Sequence, residues 1–246
     1  MNNIPDNHIL VAVGASAGGL EALNSFFYNV PEDSDYTYLI VQHLSPDHKS
    51  LMAELLAKKT KIPITEIKHD AEIERNHIYV IPPSKNLVIE NKHLKLLDKP
   101  KGQQLNLPID ILFESLAKEY RQNAVGVILS GTGSDGSRGI RYIKEEGGLV
   151  LVQQPEQAKF DGMPQSAINT GFPDFVVPVE DMSNEITKSI LNNGKLLLCG
   201  NGGSAADAQH LAAELLIRLR PSHNRKSVPA LSLNVDTSTI TACGND

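Results

Sequence analysis

The sequence predicts a doubly wound α/β protein: a mainly parallel sheet with helices on both faces, followed by one additional βαβ unit. Three observations predict it. From residue 8 to about 180, short Val/Ile/Leu-rich runs alternate with segments whose apolar residues recur at helical spacing. The runs are continuously apolar rather than strictly alternating, as strands covered on both faces require. After VPVEDM the alternation restarts once more, over about sixty residues.

The elements follow in order. HILVAVG is the first strand; the glycine-rich turn GASAGG ends it and LEALNSFFYNV continues as an amphipathic helix. YTYLIVQHL is the second strand and SLMAELLAKK the second helix. HIYVIPP and NLVIE read as strands, with an antiparallel hairpin expected across residues 77 to 97. The helix IDILFESLAKEY leads into the strand AVGVIL and its loop SGTGSDGS. GIRYIKEEG, GLVLVQQ and FVVPV complete a domain spanning residues 1–182. The remainder, 183–246, holds a helix SNEITKSILNN, a strand KLLLCG, a loop NGGS, a helix ADAQHLAAELLIRL and a strand PALSLNV. Two parallel strands with one crossover helix bury too little surface to stand alone. That unit is expected to dock, to self-associate through its open strand edge, or to remain partly disordered.

Composition excludes several function classes. Twenty-nine acids against 23 bases give a formal charge of −6 with no Lys/Arg stripe, so counterion-release binding to nucleic acid is not expected. The start, MNNIPDNHIL, has no basic segment leading into an apolar one, and no later run reaches the length of a membrane span. The two cysteines, Cys199 and Cys243, form neither a CxxC pair nor a disulfide framework. These features predict a cytoplasmic protein without membrane insertion.

Ligands of open parallel sheets bind beyond the carboxyl ends of the strands. Three polar residues fall there: Ser16 after the first strand, His43 at the end of the second, and Asp135 in SGTGSDGS. A nucleophile, a base and a carboxylate on loops at one edge are what acyl transfer requires, because a serine hydroxyl is a weak nucleophile until an imidazole takes its proton. The same turn serves a second chemistry, since a helix N-terminus after a glycine-rich loop cradles an anion without any reaction. Taken singly, Ser16 also reads as an N-cap or anion contact, His43 as a structural histidine and Asp135 as an Asx-turn residue. GASAG fits the G-x-S-x-G elbow, but the order Ser, His, Asp is not the Ser, Asp, His of α/β-hydrolases. A dinucleotide fingerprint needs glycine where Ser16 stands. His43 and His48 lack a third strong ligand at metal-binding spacing, so no metal is expected in this domain.

GASAGG, VQHLSPDH, NLPIDILFESLA, AVGVILSGTGSDGSRGI, GGLVLVQQPEQAKFDGMPQSAINTG and VPVEDM, in this order, resemble the catalytic domain of the chemotaxis receptor methylesterase family, CheB. The resemblance covers about residues 8 to 182 and is closest to the form found in methylesterase–methyltransferase hybrids. It implies a Rossmann-like sheet, with Ser16 as nucleophile, His43 as general base and Asp135 as its orienter. Backbone N–H groups near Ala17 and Thr132 are implied as the oxyanion hole. The implied reaction is hydrolysis of glutamyl methyl esters on the cytoplasmic domains of methyl-accepting chemoreceptors, with deamidation of some glutamines and no cofactor. The first strand begins so near the N-terminus that no phosphorylatable receiver domain is expected before it. The segment LLDKPKGQQL lacks the arginines that stand-alone relatives tend to carry there, which implies altered receptor docking.

The tail resembles a different family. GKLLLCGNGGSAADAQHLAAELLIRL and VPALSLNVDTSTITACGND are similar to the N-terminal part of sedoheptulose 7-phosphate isomerases, which have the SIS fold. In that family the positions of His210 and Glu214 are implied to bind zinc or transfer a proton; an ordinary solvated i,i+4 pair is the alternative. The phosphate loop and second catalytic histidine of that family have no counterpart in residues 184–246, so the tail is expected to lack isomerase activity, and zinc is expected only in a complete isomerase domain. The change of family near Met182 and Ser183 reads as a gene-fusion or assembly product.

Overall fold

The structure is a computed structural model and describes residues 8–42, 52–68, 71–100, 105–191, 196–198, 209–210, 213 and 230–232. In chain order the first unit, Met1–Ile186, contains β1 (Leu10–Ala15), α1 (Gly19–Tyr28), β2 (Thr37–Gln42), α2 (Met52–Leu56), β3 (Ile64–Glu66), β4 (Ala71–Glu72), β5 (His77–Val80), β6 (Lys85–Glu90) and β7 (His93–Asp98). There follow α3 (Pro108–Tyr120), β8 (Ala124–Ile128), α4 (Gly139–Glu145), β9 (Leu149–Gln153), α5 (Gly162–Ile168), β10 (Phe175–Val177) and the start of α6 (Val179–Leu191).

Seven strands form one parallel sheet in the order β10-β9-β8-β1-β2-β5-β3. The chain leaves β1 in one direction through β2 and later returns to place β8 on its other side. The topological switch point therefore lies between β1 and β8, which is where open α/β sheets open a crevice for ligands.

Burial follows from the sequence pattern. Along β1, Leu10 and Ala12 enter one core while Val11, Val13 and Ala15 enter the other. Leu23, Phe26 and Phe27 of α1, Met52 and Leu56 of α2, and Val179, Met182 and Ile186 of α6 cover the second core. Leu112, Phe113 and Leu116 of α3, Ile140 and Ile143 of α4, and Met163 and Ala167 of α5 cover the first. Each of these side chains other than the alanines contributes roughly 1.5–3 kcal/mol on full burial. That is why the runs of β1 and β8 are apolar without alternation, and why the sheet is doubly wound as the sequence predicts.

Several elements differ from expectation: β3 and β4 were not expected, and α6 begins at Val179 rather than at Ser183. The antiparallel hairpin is β6–β7, paired from Lys85↔Asp98 to Glu90↔His93 and flanked by β4. β5 instead joins the parallel sheet beside β2. Pro82 and Pro83 end β5 before the hairpin begins, because proline cannot donate to a ladder. α5 was not expected: it has seven residues and contains Pro164, a position in the first turn where the missing N–H costs nothing.

The second unit, Thr187–Asp246, has β11 (Leu196–Leu198) paired in parallel with β12 (Ala230–Ser232).

At the amino edge of the main sheet His8 is 1% exposed. Its Nε2 lies 2.9 Å from Thr37 Oγ1, and Thr37 spends its single hydroxyl proton on the Glu74 carbonyl at 2.5 Å. His8 must therefore carry its proton on Nε2, leaving Nδ1 buried without a partner among the described residues. Burial, reinforced by Arg75, lowers its pKa to about 4. A histidine whose folded pKa is depressed binds fewer protons than the unfolded chain between pH 6.5 and 4, so stability falls as pH drops through that window. We expect a loss of at most about 3 kcal/mol from this group. Urea unfolding across the window checks it: His8→Asn should flatten the profile, and an unchanged slope would contradict the assignment.

Candidate active site

The site is built where β1 and β8 end. β1 and β8 are in register to Gly14↔Ile128, and the pairing continues into the loops: Leu129 N–H donates to Gly14 O at 2.9 Å and Ser16 N–H to Ser130 O at 3.0 Å. Ser16 is 8% exposed. Its carbonyl accepts the Gly19 N–H at 2.9 Å, which closes the turn into α1. The left-handed residue of this turn is Gly18, with φ 71°, and Ser16 is not among the positive-φ residues. A Cβ at Gly18 would lie 2.8 Å from Lys159 Cβ and 2.9 Å from Ser130 Oγ. Only glycine fits, on both conformational and steric grounds.

Ser130 ties three loops together. Its Oγ donates to Ala17 O at 2.9 Å and accepts from Phe160 N–H at 3.0 Å, while its N–H donates to Gln153 Oε1 at 2.8 Å. Gly131 N–H donates to Phe160 O at 2.9 Å and Gly131 O accepts from Met163 N–H at 2.8 Å. Among the described residues, the Ala17 and Thr132 N–H groups have no backbone acceptor. Both flank positions pinned by these bonds.

Asp135 is 2% exposed and clamps the start of α3: Oδ2 accepts from Ile109 N–H and Oδ1 from Asp110 N–H, each at 3.0 Å. The α3 N-cap position is Leu107, which has no side-chain oxygen to offer. Asp135 supplies in trans what a local cap normally supplies, and amide bonds to a charged acceptor contribute about 1.5–3 kcal/mol each. Asp110 repeats the device. Its Oδ1 accepts from Gly139 N–H at 2.7 Å and Arg138 N–H at 3.1 Å at the start of α4. Burial, and secondarily the Asp135 charge, hold the Asp110 carboxyl above its ordinary range against the opposing pull of the Gly139 and Arg138 amides.

Of the residues singled out from sequence, Ser16, Ala17, Thr132 and Asp135 all lie on the loops that follow β1 and β8. His43 follows β2 but lies outside the described residues; the last described residue, Gln42, pairs with Ala15 at the carboxyl end of β1. In the tail, His210 is helical and exposed, and Glu214 lies outside the described residues. No group of metal-ligating residues occurs among the described residues, and no described helix is long and apolar enough to cross a membrane. Sequence reasoning missed Ser130, Gln153 and Asp110. The signal for Gln153 was a polar residue closing an apolar strand, and for Asp110 a carboxylate in the first turn of a helix lacking a polar cap.

Ser16 follows β1 and Asp135 follows β8, the two strands that flank the switch point of this doubly wound sheet, which is where ligands of such folds bind. A profile of the CheB methylesterase family matches residues 11–186. A Trichodesmium erythraeum protein-glutamate methylesterase/protein-glutamine glutaminase is 32% identical over 185 residues, 74% of this chain and 53% of that one. A Leptospira interrogans relative is 34% identical over 190 residues, 76% of this chain and 97% of that one. The crystal structure of the Thermotoga maritima CheB methylesterase catalytic domain superposes with a TM-score of 0.69 at 25% identity, covering 74% of this chain and 98% of that one. The chain belongs to the CheB methylesterase family. It spans about half the length of several curated relatives, and 15% of a 104.1 kDa Rhodobacter capsulatus protein that is 40% identical over 145 residues.

Proposed function

We propose that this chain hydrolyses γ-glutamyl methyl esters on the cytoplasmic helices of methyl-accepting chemoreceptors, and deamidates glutamine there, with Ser16, His43 and Asp135 as its catalytic residues. Ser16 Oγ attacks the ester carbonyl while His43 takes the hydroxyl proton. The carbonyl oxygen, now an oxyanion, accepts from the Ala17 and Thr132 N–H groups. The C–O bond breaks and His43 returns the proton to the departing methoxide, releasing methanol. Water then attacks the acyl-enzyme, losing its proton to His43, and glutamate leaves as Ser16 is restored. Asp135 holds the imidazole tautomer. The observation that carries this reading is the placement of Ser16 and Asp135 on the loops of adjacent strands β1 and β8, in a chain of the CheB methylesterase family. The reaction draws on no cofactor and belongs in the cytoplasm, where the receptor helices lie.

For residues 183–246 the proposal is a partial isomerase-like unit without activity of its own, His210 and Glu214 holding zinc only where a complete SIS domain surrounds them. The parallel pairing of β11 with β12 supports one βαβ unit.

Methanol release from methylated chemoreceptor cytoplasmic fragments tests the main reading. We expect time-dependent release by the full chain and by residues 1–186, stopped by a serine-directed phosphonate that labels the peptide containing Ser16. No release and no labelling, with phosphate raising the melting temperature, would assign the turn to anion binding instead.

A further inference from the structure

We propose that Asp110 is a positioning residue for Asp135, acting through a reciprocal pair of helix caps. Asp135 caps α3 by accepting from the Ile109 and Asp110 amides, and Asp110, inside that first turn, caps α4 by accepting from the Arg138 and Gly139 amides. The segment from 135 to 139 is thus bonded at both ends to Asp110, and at its beginning to Ile109 as well. Its beginning is held by the Asp135 carboxylate on the backbone of α3, its end by backbone amides on the Asp110 carboxylate. Neither attachment alone fixes the direction of Asp135. With the contacts to the Asp110 carboxylate removed, the segment keeps its two bonds to α3 and the turn bonds from Ser137 N–H to Ser134 O and from Ile140 N–H to Gly136 O, and we infer that the Asp135 carboxylate shifts with the loosened segment. A local cap would satisfy α4 equally well, but Arg138 at its N-cap position makes no side-chain cap bond, so the task falls to Asp110. Its other oxygen, Oδ2, is buried without a partner among the described residues. Burial disfavours its charged form, which makes the uncharged amide of asparagine a fitting replacement.

The inference rests on the proposed esterase reading, with Asp135 orienting the base. Misplacement of about 1 Å in a supporting group can cost about 10²-fold in rate. We therefore expect Asp110→Ala to lower kcat for methanol release by about 10- to 100-fold with KM within about twofold. Asp110→Asn, which keeps the Oδ1 acceptor, should stay within about threefold of wild type. In an Asp135→Asn background Asp110→Ala should cost less than about threefold further, because its effect passes through Asp135. A second readout needs no activity: hydrogen exchange at the Ile109 amide should quicken in Asp110→Ala while the amides of β8 keep their protection. Equal losses of kcat in both backgrounds, or unchanged exchange at Ile109, would overturn the proposal. An inactive wild-type chain would count against the esterase reading alone, and exchange at Ile109 would still decide the role of Asp110.

Discussion

Ser16→Ala should abolish esterase turnover and leave the fold intact. Losing the nucleophile of a Ser-His-Asp site costs on the order of 10³- to 10⁶-fold in kcat, what remains coming from the oxyanion donors and binding. Stability should change by less than about 1 kcal/mol. The reason lies in how Ser16 is held: its N–H donates to Ser130 O and its carbonyl accepts from Gly19, so both bonds that fix the turn belong to the backbone and survive the substitution. The Gly18 conformation and the Ser130 contact to Ala17 O are likewise untouched. Kinetics of methanol release together with thermal unfolding check the pair of expectations. Full turnover by Ser16→Ala would remove Ser16 from the mechanism; lost turnover with a large drop in melting temperature would leave its role as nucleophile unproven and assign it a structural one.

The parts legible in the sequence are those dictated by local pattern. Continuous apolar runs identify β1, β2, β8 and β9 because each is buried on both faces, and the spacing of Leu23, Phe26 and Phe27 marks α1. Ser16 and Asp135 were legible because the carboxyl ends of parallel strands are where loops converge. The parts that were not legible depend on partners distant in sequence. β5 joins the parallel sheet rather than a hairpin because Thr37 to Ile40 lie alongside it, a fact of topology that no window of sequence contains. Ser130 reads as one more polar loop residue until its contacts to Ala17 and Phe160 are known. The caps were hidden for the same reason: Leu107 is a poor N-cap, and the carboxylate that replaces it is Asp135. A helix start without a polar cap is thus itself a signal, pointing to a cap supplied from elsewhere.

Gly131→Ala should also damage the site severely, for a reason that has nothing to do with glycine's backbone freedom. A Cβ at this position would stand 2.2 Å from Met163 Sδ and 2.8 Å from Ser16 Cβ. Both distances are too short for real contacts, so something must move. Met163 is fully buried on α5, and its thioether can swing aside at a cost typical of overpacking, about 1–3 kcal/mol. Ser16 Cβ has no such freedom, being attached to a backbone bonded to Ser130 O and Gly19 N–H. The added methyl therefore pushes β1's turn away from the loop of Thr132 and Asp135, separating Ser16 from the proposed oxyanion donor. We expect kcat to fall by about 10²-fold or more. Met163→Val separates the two contacts because it removes the sulfur but leaves Ser16 where it is. In that background Gly131→Ala should destabilise the protein far less, while its effect on kcat persists. Recovery of kcat alongside stability would mean that crowding against Met163, and not displacement of Ser16, is what disables the site.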